Sequence, residues 1–105
     1  MDYLVQPAPA KSASVTVPGD KSVSHRALML GSIADGETRI SGFLAGEDCL
    51  ATLAACAAMG VDIDRHDATT ITVHGVGRDG LAAPSAALDL GNSGTAMRLM
   101  CGMLA

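Results

Sequence analysis

The sequence predicts an α/β layered domain with helices on one side of a mixed sheet, and three observations carry that prediction. Helical apolar spacing alternates with short two-residue periodicity along the chain, in the order βαβαβββα. Glycine-rich turns separate the segments. Two of the turns leading into helices repeat one theme, a glycine turn with a hydroxyl residue and, one helical turn on, an arginine.

The first of these turns organises the chain. Residues 12–18, S-A-S-V-T-V-P, alternate in the manner of a strand, turn through Pro18 and Gly19, and enter a helix predicted over 23–34. Ser22 is the expected N-cap, because its hydroxyl can accept a first-turn amide that has no partner within the helix. Val23, Ala27, Leu28, Leu30, Ile33 and Ala34 recur at helical spacing and form the face expected to be buried. Lys21 is placed just outside the helix start, and Arg26 lies one turn beyond Ser22 on the same side. The positive end of a helix disfavours cations there by roughly 0.3–1 kcal/mol each. Lys21 and Arg26 set against that field predict an anion held by the turn and both side chains together. The plain alternative leaves both side chains in water.

The remaining elements follow in order. Asp35-Gly36 is a turn pair that stops the first helix, and 37–43, E-T-R-I-S-G-F, has a strand pattern with Gly42 as a possible bulge. Glu47 and Asp48 open a helix over 49–59 that Gly60 ends. Two acids in its first turn suit the helix dipole without any functional role. Residues 61–65 and 69–74 alternate around Asp67-Ala68 and predict a hairpin. The stretch G-V-G-R-D-G at 75–80 matches a dinucleotide fingerprint formally, but Pro84 and small residues follow instead of a helix, and Asp89 is too near to serve as a ribose ligand. It is assigned as a glycine turn. Residues 88–91 form a short predicted strand, and Asn92-Ser93-Gly94-Thr95 leads into a helix over 96–105. Gly91 and Gly94 permit a backbone whose amides face an anion. Arg98, one turn in, either faces that anion or pairs with an acid inside the fold.

Composition narrows the function. The chain has 105 residues with 49% hydrophobic but only 2% aromatic, so its core gains less burial per residue than an aromatic one. It stops within an apolar helical pattern that has no stop signal, which is the pattern of the front part of a longer protein. Net charge is −4, and the seven Lys and Arg residues are scattered, which argues against nucleic acid. No segment has the pattern of a signal peptide or a membrane span, and a cytoplasmic location is expected. Cys49, Cys56 and Cys101 lack zinc spacing, and His25, His66 and His74 show no i, i+4 pairing. Reduced, buried thiols and no metal site are expected.

Three stretches, P-G-D-K-S-V-S-H-R-A-L-M-L at 18–30, D-G-E-T-R-I-S-G-F-L at 35–44 and L-D-L-G-N-S-G-T-A-M-R-L at 88–99, resemble the 5-enolpyruvylshikimate-3-phosphate synthase family. The resemblance runs from about Val5 to the last residue. It implies the enolpyruvyl transferase fold, two domains each built of three βαβαββ units, of which this chain would hold the first unit and part of the second. Residues 1–17 would then be the first strand and a crossover from the other domain, and 18–105 an incomplete substrate-binding domain. The implied activity is transfer of the enolpyruvyl group of phosphoenolpyruvate to the 5-hydroxyl of shikimate 3-phosphate with release of phosphate, a step of aromatic amino acid biosynthesis that glyphosate blocks. No cofactor and no metal is implied. By motif, Lys21 contacts both substrates and is the catalytic residue. Ser22 and Arg26 hold shikimate 3-phosphate, Gly94, Asn92 and Thr95 border phosphoenolpyruvate, and Asp48 and Arg98 support the two turns. His25 is implied to be structural. The partners are these small anions and the remainder of the enzyme chain, the full-length form is expected to be a monomer, and the fragment alone is expected to be inactive.

Two alternatives stand beside this. A sister transferase acting on UDP-N-acetylglucosamine shares the fold but typically has Lys-Asn at the first turn, where this chain has Lys21-Ser22. A non-catalytic anion-binding fragment is supported by the short length alone. A nucleotide-binding P-loop fails, because Asp20 stands where a glycine must precede the lysine.

Overall fold

The computed structural model describes residues 2–105. Its elements are α1 (Lys21–Ile33), β1 (Asp35–Ile40), α2 (Glu47–Ala58), β2 (Asp62–Arg65), β3 (Ile71–Val76) and α3 (Gly94–Leu104). The strands form one sheet in the order β1-β3-β2, and both pairings are antiparallel, where the sequence pattern predicted a mixed sheet. Ile40 faces Ile71 and Ile63 faces Val73 in register, so one face of the sheet is apolar. The helices cover that face, as predicted. The other face carries Asp35, Glu37, Arg39, Asp62, Asp64, Thr72 and His74 and meets water.

The core lies between helices and sheet. Leu28, Phe43, Cys56, Met59, Ile71 and Val73 are at most 2% exposed. Cys49 and Cys56 share the inner face of α2, which is the packing role their spacing predicts, whereas Cys101 is exposed, against expectation. Close backbone approach fixes one glycine. A Cβ on Gly19 would lie 1.9 Å from the Gly42 carbonyl oxygen, so only glycine lets the turn before α1 pass the turn after β1.

Several expectations are corrected. Residues 12–18 form no strand, because a strand persists by sharing a ladder and no strand among the described residues lies beside this one. Val15 and Val17 are 81% and 74% exposed, and this extended arm gives the molecule its 56 Å long axis against 27 and 21 Å. Residues 88–91 form no strand either. The Asp89 carboxylate accepts the Gly91 amide at 2.9 Å, a local bond that replaces a ladder bond. Asp35 and Gly36 are the first residues of β1 rather than a turn, and Gly42, with φ of 70°, lies past the strand end rather than in a bulge.

The N-cap of α1 is Asp20, not Ser22. Its carboxylate accepts the Val23 amide at 2.8 Å, which starts the helix early and makes Lys21 and Ser22 its first two residues. The buried face of α1 is also rotated from the predicted one. Ser24, His25, Leu28, Met29, Gly31 and Ser32 face inward, while Val23 and Leu30 are 55% and 63% exposed. Inward serines are satisfied within the layer: Ser32 donates to the Leu28 carbonyl at 2.6 Å, and Ser24 donates to the Asp20 carbonyl at 2.7 Å while accepting the Leu44 amide at 3.0 Å. Polar side chains with such partners can occupy a face that apolar periodicity alone assigns to water.

Candidate functional site

The sheet and the helix lengths bring the N-termini of α1, α2 and α3 to one end of the helical layer. At α1 the first residue is Lys21, and its ammonium lies 2.5 Å from Asp48 Oδ2 in the first turn of α2. The other oxygen of Asp48 accepts the Asn92 amide at 3.3 Å, just ahead of α3. One carboxylate therefore ties the turn before α1 to the turn before α3. The lysine hydrogen bond holds the Asp48 carboxyl below its ordinary range, with the charge of Lys21 and the Asn92 amide adding to it. The same bond, followed by the charge of Asp48, raises the Lys21 ammonium above its ordinary value. Both groups are ionised across neutral pH.

Beside this pair lies a hollow of about 300 Å³, lined by Lys21, Gly46, Glu47, Asp48, Cys49 and Asn92. Gly46 caps α2 with no side chain, so that helix start presents bare amides. The first turns of α1 and α3 contain no acidic residue, and α2 supplies the two acids of the site. Three helix starts and one ammonium, set against the Glu47 and Asp48 carboxylates and the Asp20 carboxylate that caps α1, can hold a small anion through amides and Lys21, with Asp48 fixing the ammonium's position.

Beneath the hollow, Ser93 caps α3 by accepting the Ala96 amide at 3.0 Å. Its hydroxyl also lies 3.3 Å from His25 Nε2, and His25 Nδ1 lies 2.8 Å from Thr52 Oγ1. Burial and then the nearby Lys21 charge lower the His25 pKa, so its ring is neutral. Asp20, Thr52 and Ser93 were not among the candidate residues. An acid immediately before a helix and a serine three residues before a free amide were signals available for Asp20 and Ser93. Thr52 had none.

The remaining candidates are placed as follows. Ser22 is half-buried at the second position of α1 and Thr95 half-buried at the second position of α3, neither with a side-chain hydrogen bond among the described residues. Gly94 is the first residue of α3, and a Cβ there would lie 2.6 Å from Arg98 Nη1, so the guanidinium folds back over the helix start. Arg98 forms no ion pair among the described residues, so it does not pair with an acid inside the fold. Arg26 is not brought to the hollow. Five positions separate it from Lys21, about 140° around the helix, and it lines a separate apolar groove of about 280 Å³ with Met29, Leu30, Ile33, Leu99 and Met103.

On the far face of the sheet, the ligand atoms of Asp62, Asp64 and His74 lie within 4.8 Å of one another. These are the groups best spaced to hold a cation, on a side of the molecule remote from Lys21. Among the described residues no helix is long and apolar enough to cross a membrane.

A family model described as EPSP synthase (3-phosphoshikimate 1-carboxyvinyltransferase) matches residues 5–105. The chain belongs to the EPSP synthase family. Among curated relatives, the 3-phosphoshikimate 1-carboxyvinyltransferase of Alkalilimnicola ehrlichii is 61% identical over 105 residues, which is all of this chain and 24% of the relative. That of Hydrogenovibrio crunogenus is 55% identical over the same span, again 24% of the relative. Two solved structures of EPSP synthase from Acinetobacter baumannii superpose with TM-scores of 0.80 and 0.81 at 60% identity, covering 86% of this chain and 20% of theirs. The chain thus spans about a quarter of the length of the EPSP synthases it matches. The α/β expectation and the family resemblance both hold.

Proposed function

We propose that this chain works as part of a longer EPSP synthase polypeptide, in which it supplies one wall of the cleft that transfers enolpyruvyl from phosphoenolpyruvate to the 5-hydroxyl of shikimate 3-phosphate and releases phosphate. In that polypeptide, residues 1–17 cross to the other domain and 18–105 belong to the substrate domain. Beyond the family match, one observation of the site carries this reading: Asp48 joins Lys21 and Asn92, so the two motif turns share one end of the layer. Both substrates are polyanions, and three converging helix starts with a fixed ammonium suit them.

In this reading Lys21 contacts both substrates. Its charge stabilises the phosphate-bearing tetrahedral intermediate as the methylene carbon of phosphoenolpyruvate is protonated and the 5-hydroxyl adds to the neighbouring carbon with loss of its proton, and again as phosphate departs. Ser22 and Arg26 hold shikimate 3-phosphate. Arg26 is exposed on α1 where it lines the apolar groove, and its guanidinium reaches the ligand by turning over the helix surface. Asn92, Gly94 and Thr95 border phosphoenolpyruvate, and Arg98 supports their turn. The further groups that the reaction needs come from the rest of the polypeptide, and the 105-residue chain alone is inactive. The enzyme is cytoplasmic and acts as a monomer.

The test is steady-state kinetics on the longer polypeptide, with calorimetric titration of shikimate 3-phosphate. Lys21→Ala lowers kcat by about two to three orders of magnitude. Arg26→Ala chiefly weakens shikimate 3-phosphate binding. Near-normal kcat for Lys21→Ala contradicts the reading.

A further inference from the structure

The buried contact that joins all three helices is not made by the charged residues of the cleft. It is made by His25, which is 0% exposed and touches one hydroxyl on α2 and one at the start of α3. One assignment of the protons uses every contact in this chain. Thr52 donates its hydroxyl proton to the Asp48 carbonyl at 3.3 Å, so toward His25 it can only accept, and Nδ1 carries the ring proton. Nε2 is then a bare acceptor and takes the Ser93 hydroxyl proton. Ser93 uses an oxygen lone pair for the Ala96 amide. Every donor and acceptor has one partner, and the polar atoms of Ser93, His25 and Thr52 leave no buried group unsatisfied.

We propose that His25, as the neutral Nδ1–H tautomer, is a positioning residue that sets where the 92–95 turn sits relative to Lys21 and Asp48. The inference deepens the proposed function and rests on the assignment of that turn to the phosphoenolpyruvate side of the cleft. Two links locate the turn. At the rim Asp48 takes the Asn92 amide, and beneath it His25 takes the Ser93 hydroxyl. Both links are 3.3 Å, and the rim link is exposed. The inner one is buried, so it is less open to competition from water and carries more of the positioning. The charged groups nearest the ring are Lys21 on α1 and Asp48 on α2. They pull its protonation in opposite directions, while burial and Lys21 together keep it neutral.

Two substitutions divide the contacts. The terminal amide of His25→Gln reaches the place of Nε2 and can accept from Ser93. That of His25→Asn reaches only the place of Nδ1 and serves Thr52. In the longer polypeptide, His25→Asn raises KM for phosphoenolpyruvate about three- to tenfold, the scale of one lost hydrogen bond. It leaves kcat and shikimate 3-phosphate affinity within about twofold. His25→Gln recovers most of that KM. A merely structural histidine instead gives two variants with equal kinetics and equal thermal destabilisation, and that outcome overturns the proposal. A second measurement needs no variant: nitrogen-15 correlation spectra of the unsubstituted protein show the ring proton on Nδ1. A proton on Nε2 overturns the proposal even where a variant fails to fold. Failure of the underlying functional reading looks different, because the unsubstituted longer polypeptide then releases no phosphate from the two substrates.

Discussion

Lys21 Nζ and Asp48 Oδ2 are 2.5 Å apart, although 27 positions separate them in the sequence. The lysine is half-exposed and the aspartate largely covered, so the pair is anchored from the α2 side. Exposed ion pairs add little to stability, and the consequence of this one is placement: the ammonium is held at the mouth of the hollow and the Asn92 amide is held beside it.

Asp48→Asn and Asp48→Ala separate those effects. Both lower the Lys21 pKa, because the carboxylate that raises it is gone. Only the alanine also removes the acceptor for Asn92. Amide hydrogen exchange at Asn92 therefore speeds up about tenfold in Asp48→Ala and much less in Asp48→Asn. Equal acceleration in the two variants would show that charge, not the Oδ1 contact, orders the turn.

Much of this was legible in the sequence, and the parts that were not share a cause. Helices, the β2–β3 hairpin and the two glycine turns are set by local periodicity and turn chemistry, and they appear where those signals stand. Residues 12–18 and 88–91 also have local strand signals, but a strand depends on a neighbour that local pattern does not specify. The rotation of α1 was hidden for a related reason. Its inner face is lined by Ser24, His25 and Ser32, whose burial depends on partners at Asp20, Leu44, Thr52, Leu28 and Ser93. Motif resemblance brought out Lys21 and Asn92, and Asp48 was marked as a support. The bond between Lys21 and Asp48 required the fold.

Gly94→Ala tests the start of α3. The new Cβ would meet Arg98 Nη1 at 2.6 Å, but that atom is the far end of a flexible side chain and can swing away. Stability of the chain changes by less than about 0.5 kcal/mol, as at an ordinary surface position. In the longer polypeptide the methyl group and the displaced guanidinium both alter the turn assigned to phosphoenolpyruvate. Inhibition by glyphosate weakens more than kcat/KM falls. Inhibition constants and turnover measured side by side decide the point, and equal losses in both count against a steric role for Gly94.

Two histidines give stability opposite dependences on pH. His74, on the open face of the sheet, donates from Nε2 to the Asp64 carboxylate at 2.9 Å and lies 3.3 Å from Glu37, and the Asp64 bond above all raises its pKa. Its contribution is complete below the ordinary value of 6.5 and is lost as pH rises through the higher folded-state value. His25 is depressed by burial, so its contribution is complete above 6.5 and is lost as pH falls through the lower folded-state value. Urea unfolding of His74→Gln across the range should show a deficit that is largest on the acid side of 6.5 and vanishes on the alkaline side. The decline that sets in just below 6.5 belongs to His25, and Asp48 and Asp67, whose carboxyls are also held low, add theirs at more acidic pH. A deficit of equal size at both ends would mean that His74 contributes by packing and not by charge.

The groove between α1 and α3 tests how the chain fits into the longer polypeptide. Val23, Leu30 and Met97 are 55%, 63% and 57% exposed, on faces whose apolar spacing is that of buried helix. Leu30 lines the groove together with Met29, Ile33 and Leu99. In the 105-residue chain Leu30→Ala removes a side chain that is mostly in water, so the loss is within about 0.5 kcal/mol. If residues 18–105 are an incomplete domain, later segments of the polypeptide cover this groove, and the same substitution there empties a packed site at a cost of about 2–5 kcal/mol. Chemical denaturation of both lengths, each with and without the substitution, compares the two situations directly. A small loss in both would mean that the groove stays open and that residues 18–105 form their domain without a covering layer on that side.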